Sequence, residues 1–161
     1  MDESGKMNKM RDFHDLVRSK KNKTIYCWLF NIGIEQEWMA DHFQVKDLEE
    51  ELVVQHMEEI LFFMAEEGDI LLLRKMPDVR VFDKMKEMGF AIPHILCPEK
   101  DETSVTITEL VLKDKRLIDK LKQYAERNTI YLIPYGVTVR EECLARTCGM
   151  EMKGSPANVS K

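Results

Sequence analysis

The run Ile130-Tyr-Leu-Ile-Pro134-Tyr-Gly136-Val-Thr138-Val-Arg140-Glu141-Glu142 constrains this chain more than any other segment. Its aliphatic and aromatic start suits a buried strand. Pro134 lacks the N–H needed to continue a hydrogen-bonded ladder, and Thr138 with Glu141 three residues later has the spacing of a helix-opening capping box. The segment therefore reads as strand, rigid turn and helix start. In open α/β sheets such junctions are where ligands are held.

The rest of the chain repeats that grammar. Thr24 to Phe30 is β-branched and aromatic, and Asp69 to Leu73 is an aliphatic run of the kind found in a central strand buried on both faces. Pro93 to Cys97 and Met150 to Lys153 are shorter strand candidates. Between them lie helical periods. Met7 to Lys20 places Met10, Phe13, Leu16 and Val17 on one face. Asp47 is positioned to cap a long helix with Leu48, Leu52, Val53, Met57, Ile60, Leu61 and Met64 turned inward, ended by Gly68. Asp78 caps a helix carrying Val81, Phe82, Met85 and Met88, closed by Gly89. Thr106 and Glu109 have capping-box spacing, and Asp114 can cap a helix with Leu117, Ile118, Leu121, Tyr124 and Ala125 inward. The helix after Thr138 is expected to turn Val139, Cys143 and Leu144 inward and to end at Gly149.

Strands separated by helices require crossover connections, which are right-handed. The predicted fold is a three-layer, Rossmann-like α/β domain, with a mainly parallel sheet of four to five strands and helices on both faces. At 161 residues one domain suffices, and roughly 70% of the unfolded chain's surface can be buried at this size.

Composition narrows the functions open to such a domain. A net charge of -5 opposes general nucleic-acid binding, which needs clustered basic charge. The longest apolar runs fall far short of the roughly 20 residues that span a bilayer, and the polar N-terminus has no signal-peptide core. Cys27, Cys97, Cys143 and Cys148 match neither a redox pair nor a zinc knuckle, so reduced cysteines in a cytoplasmic protein are expected and no metal site is assigned. Neither GxGxxG nor GxxxxGK[ST] occurs.

Candidate ligand-binding residues are those at the carboxyl ends of the strands: Asn31, Gly33, Arg74, Tyr135, Gly136 and Thr138. Each also has an ordinary reading. Asn-x-Gly is common turn chemistry, an arginine after a strand is usually solvated or salt-bridged, and Thr138 has a task as N-cap. Arg74 could instead grip a carboxylate or phosphate bidentately. Lys75, Cys97 and Glu99 share those strand ends. Trp38 is more simply core than ligand cover, and His56, on the apolar face of the long helix, has no nucleophile spaced to join it.

Asn31-Ile-Gly33-Ile-Glu35-Gln-Glu-Trp38, Leu71-Leu-Leu-Arg74-Lys-Met-Pro77, and Pro134-Tyr-Gly-Val-Thr138 with Glu141-Glu142 together resemble the pre-ATP-grasp domain of ATP-grasp carboxylate-amine ligases. In that family this Rossmann-like domain forms one wall of a cleft in which ATP activates a carboxylate as an acyl phosphate for attack by an amine. The terminal Gly154-Ser-Pro156-Ala-Asn158-Val-Ser-Lys161 resembles the segment leading into the ATP-grasp module. The resemblance implies a domain over residues 1–153 and, over 154–161, a tail or the start of a linker to an absent ATP-grasp module. It implies a substrate-side domain not catalytic by itself, completed by an ATP-grasp domain or subunit and facing a small carboxylate or amine substrate. ATP and magnesium are implied only for the completed ligase, and no catalytic residue is assigned here. Two alternatives stand beside it: a stand-alone module binding a small anion or a protein partner, and a thiol enzyme using Cys97 or Cys143. Homo-oligomerisation is left open.

Overall fold

The structure, a computed structural model, describes residues 24–32, 57–100, 102 and 105–157. Five parallel strands form one sheet: β1 (Thr24–Leu29), β2 (Ile70–Leu72), β3 (His94–Leu96), β4 (Thr129–Pro134) and β5 (Glu151–Met152). Their spatial order is β3-β2-β1-β4-β5. Register is set by Cys27 opposite both Ile70 and Leu132, with Tyr26 opposite Tyr131 and Leu71 opposite Ile95. All five sequence-predicted strands are present, with ends shifted by at most one residue. The described helices are a 3-10 helix (Met57–Phe63), α1 (Val79–Glu87), α2 (Ile107–Lys113), α3 (Lys115–Arg127) and α4 (Val139–Cys148).

The strand order explains the layering. From β1 through β2 to β3 the chain steps in one direction, and from β3 to β4 and β5 it returns in the other. Crossovers of one hand then place the two sets of helices on opposite faces. One face packs Cys27, Leu29, Ile70, Leu72, Ile130 and Leu132 against α2, α3 and α4, through side chains such as Val111, Leu117, Leu121 and Leu144. The other packs Leu71 and Leu73 against Leu61 and Phe62 of the 3-10 helix and Met85 of α1. Complete burial of a leucine contributes about 2 kcal/mol, so the two aliphatic cores dominate the stability of the fold.

Local chemistry fixes the helix ends where the sequence indicates. The Asp78 side chain accepts from Arg80 N–H, that of Thr106 from Glu109 N–H, and that of Asp114 from Leu117 N–H. At α4 both halves of the capping box form between Thr138 and Glu141. Gly149 ends α4 at φ 70°, ψ 31°, a left-handed conformation that side chains with a Cβ resist.

Two helical faces differ from expectation. Met57–Phe63 winds as a 3-10 helix, with three residues per turn, so residues three apart eclipse. Glu58, Leu61 and Phe62 are buried, while Met57, Ile60, Phe63 and Met64 face outward. The α-helical period had placed Met57, Ile60 and Met64 with Leu61. In α4 the buried stripe is Glu141, Leu144, Ala145 and Cys148, and Val139 and Cys143 are exposed. The capping box turns Glu141 inward, and the i, i+3, i+4, i+7 stripe then follows from that phase. Met88 also lies outside, because α1 closes at Glu87. The helix expected at Met7 to Lys20, the part of the long helix before Met57, Trp38 and His56 lie outside the described residues.

Candidate functional site at the sheet switch point

β1 and β4 are neighbours whose connections leave in opposite directions, so a crevice opens beyond their carboxyl ends. The strand pairing runs to that edge, where Tyr135 N–H donates to Leu29 O at 2.9 Å. Beyond it the two loops are tied by one side chain. Asn31 donates from Nδ2 to Gly136 O at 2.8 Å and accepts at Oδ1 from Gly136 N–H at 3.0 Å. Asn31 is only 4% exposed, and its amide extends the β1–β4 pairing beyond Pro134, the last residue of β4. It holds the two crevice loops in register.

Tyr135 stands outward on this scaffold, 55% exposed, with its ring edge-on to Phe30 at a centroid distance of 5.1 Å. Thr138 accepts at Oγ1 from Arg140 N–H at 3.1 Å and donates its own N–H to Glu141 Oε2 at 2.7 Å. A helix start with free amides attracts anions. Here the Glu141 carboxylate occupies that position, buried at the first turn of α4 and also hydrogen-bonded by the Thr108 hydroxyl of α2. A second bridge joins the same helices, from Arg140 Nε to Glu109 Oε1 at 3.1 Å. In α2 the Glu109 side chain is therefore turned toward Arg140, while Thr106 Oγ1 accepts from the Glu109 N–H.

Asn31, Tyr135, Gly136 and Thr138 are thus assembled at one place, as the sequence suggested. Gly33 lies outside the described residues. Arg74, two residues beyond β2, is directed elsewhere. Its Nε lies 3.4 Å from Glu58 Oε1, its Nη2 donates to Val105 O at 2.7 Å and its Nη1 to Glu102 O at 3.3 Å. The Arg74 backbone N–H also donates to Glu58 Oε2 at 2.7 Å. The guanidinium clasps the 3-10 helix to the loop between β3 and α2. Lys75 and Glu99 are exposed.

Three buried polar residues escaped sequence reading. Glu58 and Thr108 resemble ordinary solvated helix residues. Asp69 looks like the first residue of an aliphatic strand, yet it is buried and accepts from Tyr26 N–H, Trp28 Nε1–H and Glu66 N–H at 3.0–3.2 Å. The one local signal is Gly68-Asp69 before an apolar run, a turn pair whose carboxylate can serve nearby amides.

Cys97 is half-buried at the end of β3, and burial, followed by the nearby Glu58 carboxylate, pushes its thiol up to about 11 against a smaller opposing effect of Arg116. Burial, with a smaller contribution from Cys143, likewise raises Cys148 to about 11 against the Lys122 charge, and burial raises Cys27 further. These thiols remain protonated and weakly nucleophilic at neutral pH. Cys143 is exposed, with Thr147 Oγ1 3.9 Å from its sulfur. Iodoacetamide at neutral pH is expected to label Cys143 first and to leave Cys27, Cys97 and Cys148 unmodified in the folded protein. Early labelling of Cys97, read by peptide mass spectrometry, would contradict this.

Among the described residues no group of three or more His, Cys, Asp or Glu side chains is placed to hold a metal ion, and no helix is long and apolar enough to cross a membrane.

An open parallel sheet of this order, with a crevice at its switch point, defines a Rossmann-like α/β domain. Residues 57–150, more than half of the chain, match the family described as the Pre ATP-grasp domain, and the chain belongs to that family. It is also similar to the [Butirosin acyl-carrier protein]--L-glutamate ligase of Niallia circulans, 28% identical over 128 residues, covering 75% of this chain and 30% of the relative. The chain therefore spans less than a third of the length of that curated relative. No solved structure matches it.

Proposed function

We propose that this chain forms the N-terminal, substrate-side wall of an ATP-dependent carboxylate-amine ligase, completed by an ATP-grasp module. The observation that carries the reading is the family match over residues 57–150, which includes the β4–α4 half of the crevice. The ligase name of the Niallia circulans relative supports it and makes L-glutamate the first substrate to test.

In this reading the loops after β1 and β4 bind and orient a substrate. Asn31 keeps the loops in register, and Tyr135 presents an aromatic surface beside Phe30. The described crevice residues do not fit a nucleotide triphosphate. The carboxylate of Glu141 fills the start of α4, where a phosphate would otherwise sit, and would repel one. ATP and magnesium accordingly belong to the ATP-grasp module, where ATP supplies activation of the carboxylate. The four free cysteines accord with a cytoplasmic setting.

The test is ADP release with L-glutamate, offered as either the carboxylate or the amine, and a partner substrate, with an acyl-carrier protein among the acceptors tried. The chain alone is expected to release none, and activity is expected when an ATP-grasp module is supplied in frame or as a partner. A well-folded combination without activity on any carboxylate-amine pair would overturn the proposal. The stand-alone anion-binding alternative requires Arg74 to leave Glu58, an exchange for which a ligand must supply an equally placed carboxylate or phosphate.

A further inference from the structure

The switch-point loop is held from a third side. After β5 the chain turns back along the β4–α4 junction. Lys153 N–H donates to Leu132 O at 2.9 Å, and the Lys153 ammonium lies 4.3 Å from the centre of the Tyr131 ring. Gly154 then passes directly beneath the loop. At φ +155°, a Cβ on this residue would stand 3.0 Å from Cγ2 of the buried Val137. Three residues on, Ala157 N–H donates to Glu142 Oε1 at 2.9 Å, on the first turn of α4.

Val137 therefore lies between two fixed neighbours and one exposed segment. Gly136 is held by the buried Asn31, and Thr138 by the buried Glu141. Lys153 through Pro156 are exposed, and opening free energy is low where a segment buries little of its own surface. Of the three supports, this is the one that can open while the sheet stays intact.

We infer that Gly154–Ala157, anchored where Lys153 bonds to β4, is a strap whose seating on Val137 and Glu142 sets the conformation of the Tyr135–Thr138 loop. When the strap is seated, Val137 is pressed inward and the loop is closed on Asn31. When it lifts, the loop can rearrange at the mouth of the crevice. A ligand at the crevice and the path of the chain beyond Ala157 are thereby coupled, because both bias one local equilibrium. This coupling does not depend on the ligase reading.

Hydrogen-exchange mass spectrometry on the full chain tests it without any ligand. In Glu142→Ala, the Ala157 amide loses its acceptor, and exchange across residues 154–157 is expected to rise about tenfold. The peptide covering residues 135–138 is expected to accelerate with it, while peptides from β1 and α3 keep their wild-type rates. Glu142→Gln retains an acceptor oxygen and is expected to restore wild-type exchange in both places. Gly154→Ala, which forces a Cβ against Val137, should reproduce the Glu142→Ala pattern. Faster exchange of the tail with an unchanged loop would overturn the inference, since the strap would then be passive. So would a wild-type tail that already exchanges at the unprotected rate. If Gly154→Ala fails to fold, the two Glu142 variants decide.

Discussion

Arg74→Ala is expected to destabilise the fold by about 4 kcal/mol, because it removes the guanidinium that lies against the buried Glu58 carboxylate. The side chains of the pair are 12% and 5% exposed, so water does not replace the lost partner. The same substitution frees the carbonyls of Glu102 and Val105, loosening the loop that leads into α2. Thermal unfolding should show a fall in Tm on the order of 10 °C for a domain of this size. Arg74→Lys keeps a charge but not the planar fork, and an intermediate loss is expected. Removing the charge at both ends, as Arg74→Met with Glu58→Leu, should recover much of the loss, since the cost lies in keeping a buried carboxylate after its guanidinium is removed. A single alanine variant within about 1 kcal/mol of wild type would show that the clasp does not hold the fold together. A stability effect also distinguishes this role from the anion grip that the sequence allows, which would weaken ligand binding and leave Tm unchanged.

Asp69→Ala is the second large effect. One carboxylate gathers the Tyr26 amide, the Trp28 indole N–H and the Glu66 amide, joining β1, β2 and the turn before β2. Its removal takes the acceptor from one buried and two part-buried donors, and a buried group that loses its partner costs about 1–3 kcal/mol. A total loss of about 4 kcal/mol is expected, measured by urea unfolding. The isosteric Asp69→Asn should also destabilise, by about 2 kcal/mol, because the new NH2 must face a donor at either oxygen position. If asparagine is tolerated as well as aspartate, the carboxylate does not serve all three donors at once.

The two predictions mark where sequence reading stopped. β1, β2 and β4 were legible because each is a run of β-branched, aliphatic or aromatic residues, and β2, buried throughout, admits no polar interruption; the edge strands β3 and β5 are short and carry the exposed His94 and Glu151. Four helix starts were legible because Asp78, Thr106, Asp114 and Thr138 act on amides two or three residues away. The family, too, could be suspected from its loops and is borne out by the match to residues 57–150.

Faces of helices were less legible. Val139 and Cys143 looked inward by apolar character, but the buried carboxylate of Glu141 rotates α4 so that Leu144, Ala145 and Cys148 meet the sheet. Glu141 is tolerated there because Thr138 and the distant Thr108 hydrogen-bond it. Likewise, a 3-10 winding separates Leu61 from Met57 and Ile60, which an α-helical period would place together. The six candidate site residues share one rule of selection, strand ends, but different fates. Asn31 and Gly136 pair with each other across 105 positions, while Arg74 turns to Glu58.

By itself, then, the sequence determined what acts locally: strand runs, caps, turns and the parallel alternation that chirality converts into a three-layer sheet. Tertiary structure alone decided which polar side chains go inside and what they hold there. The physical reason is that a buried carboxylate or amide is stable only with its partners in place. For Asn31, Glu58, Asp69 and Glu141 key partners stand 105, 16, 43 and 33 residues away, beyond the reach of any local pattern.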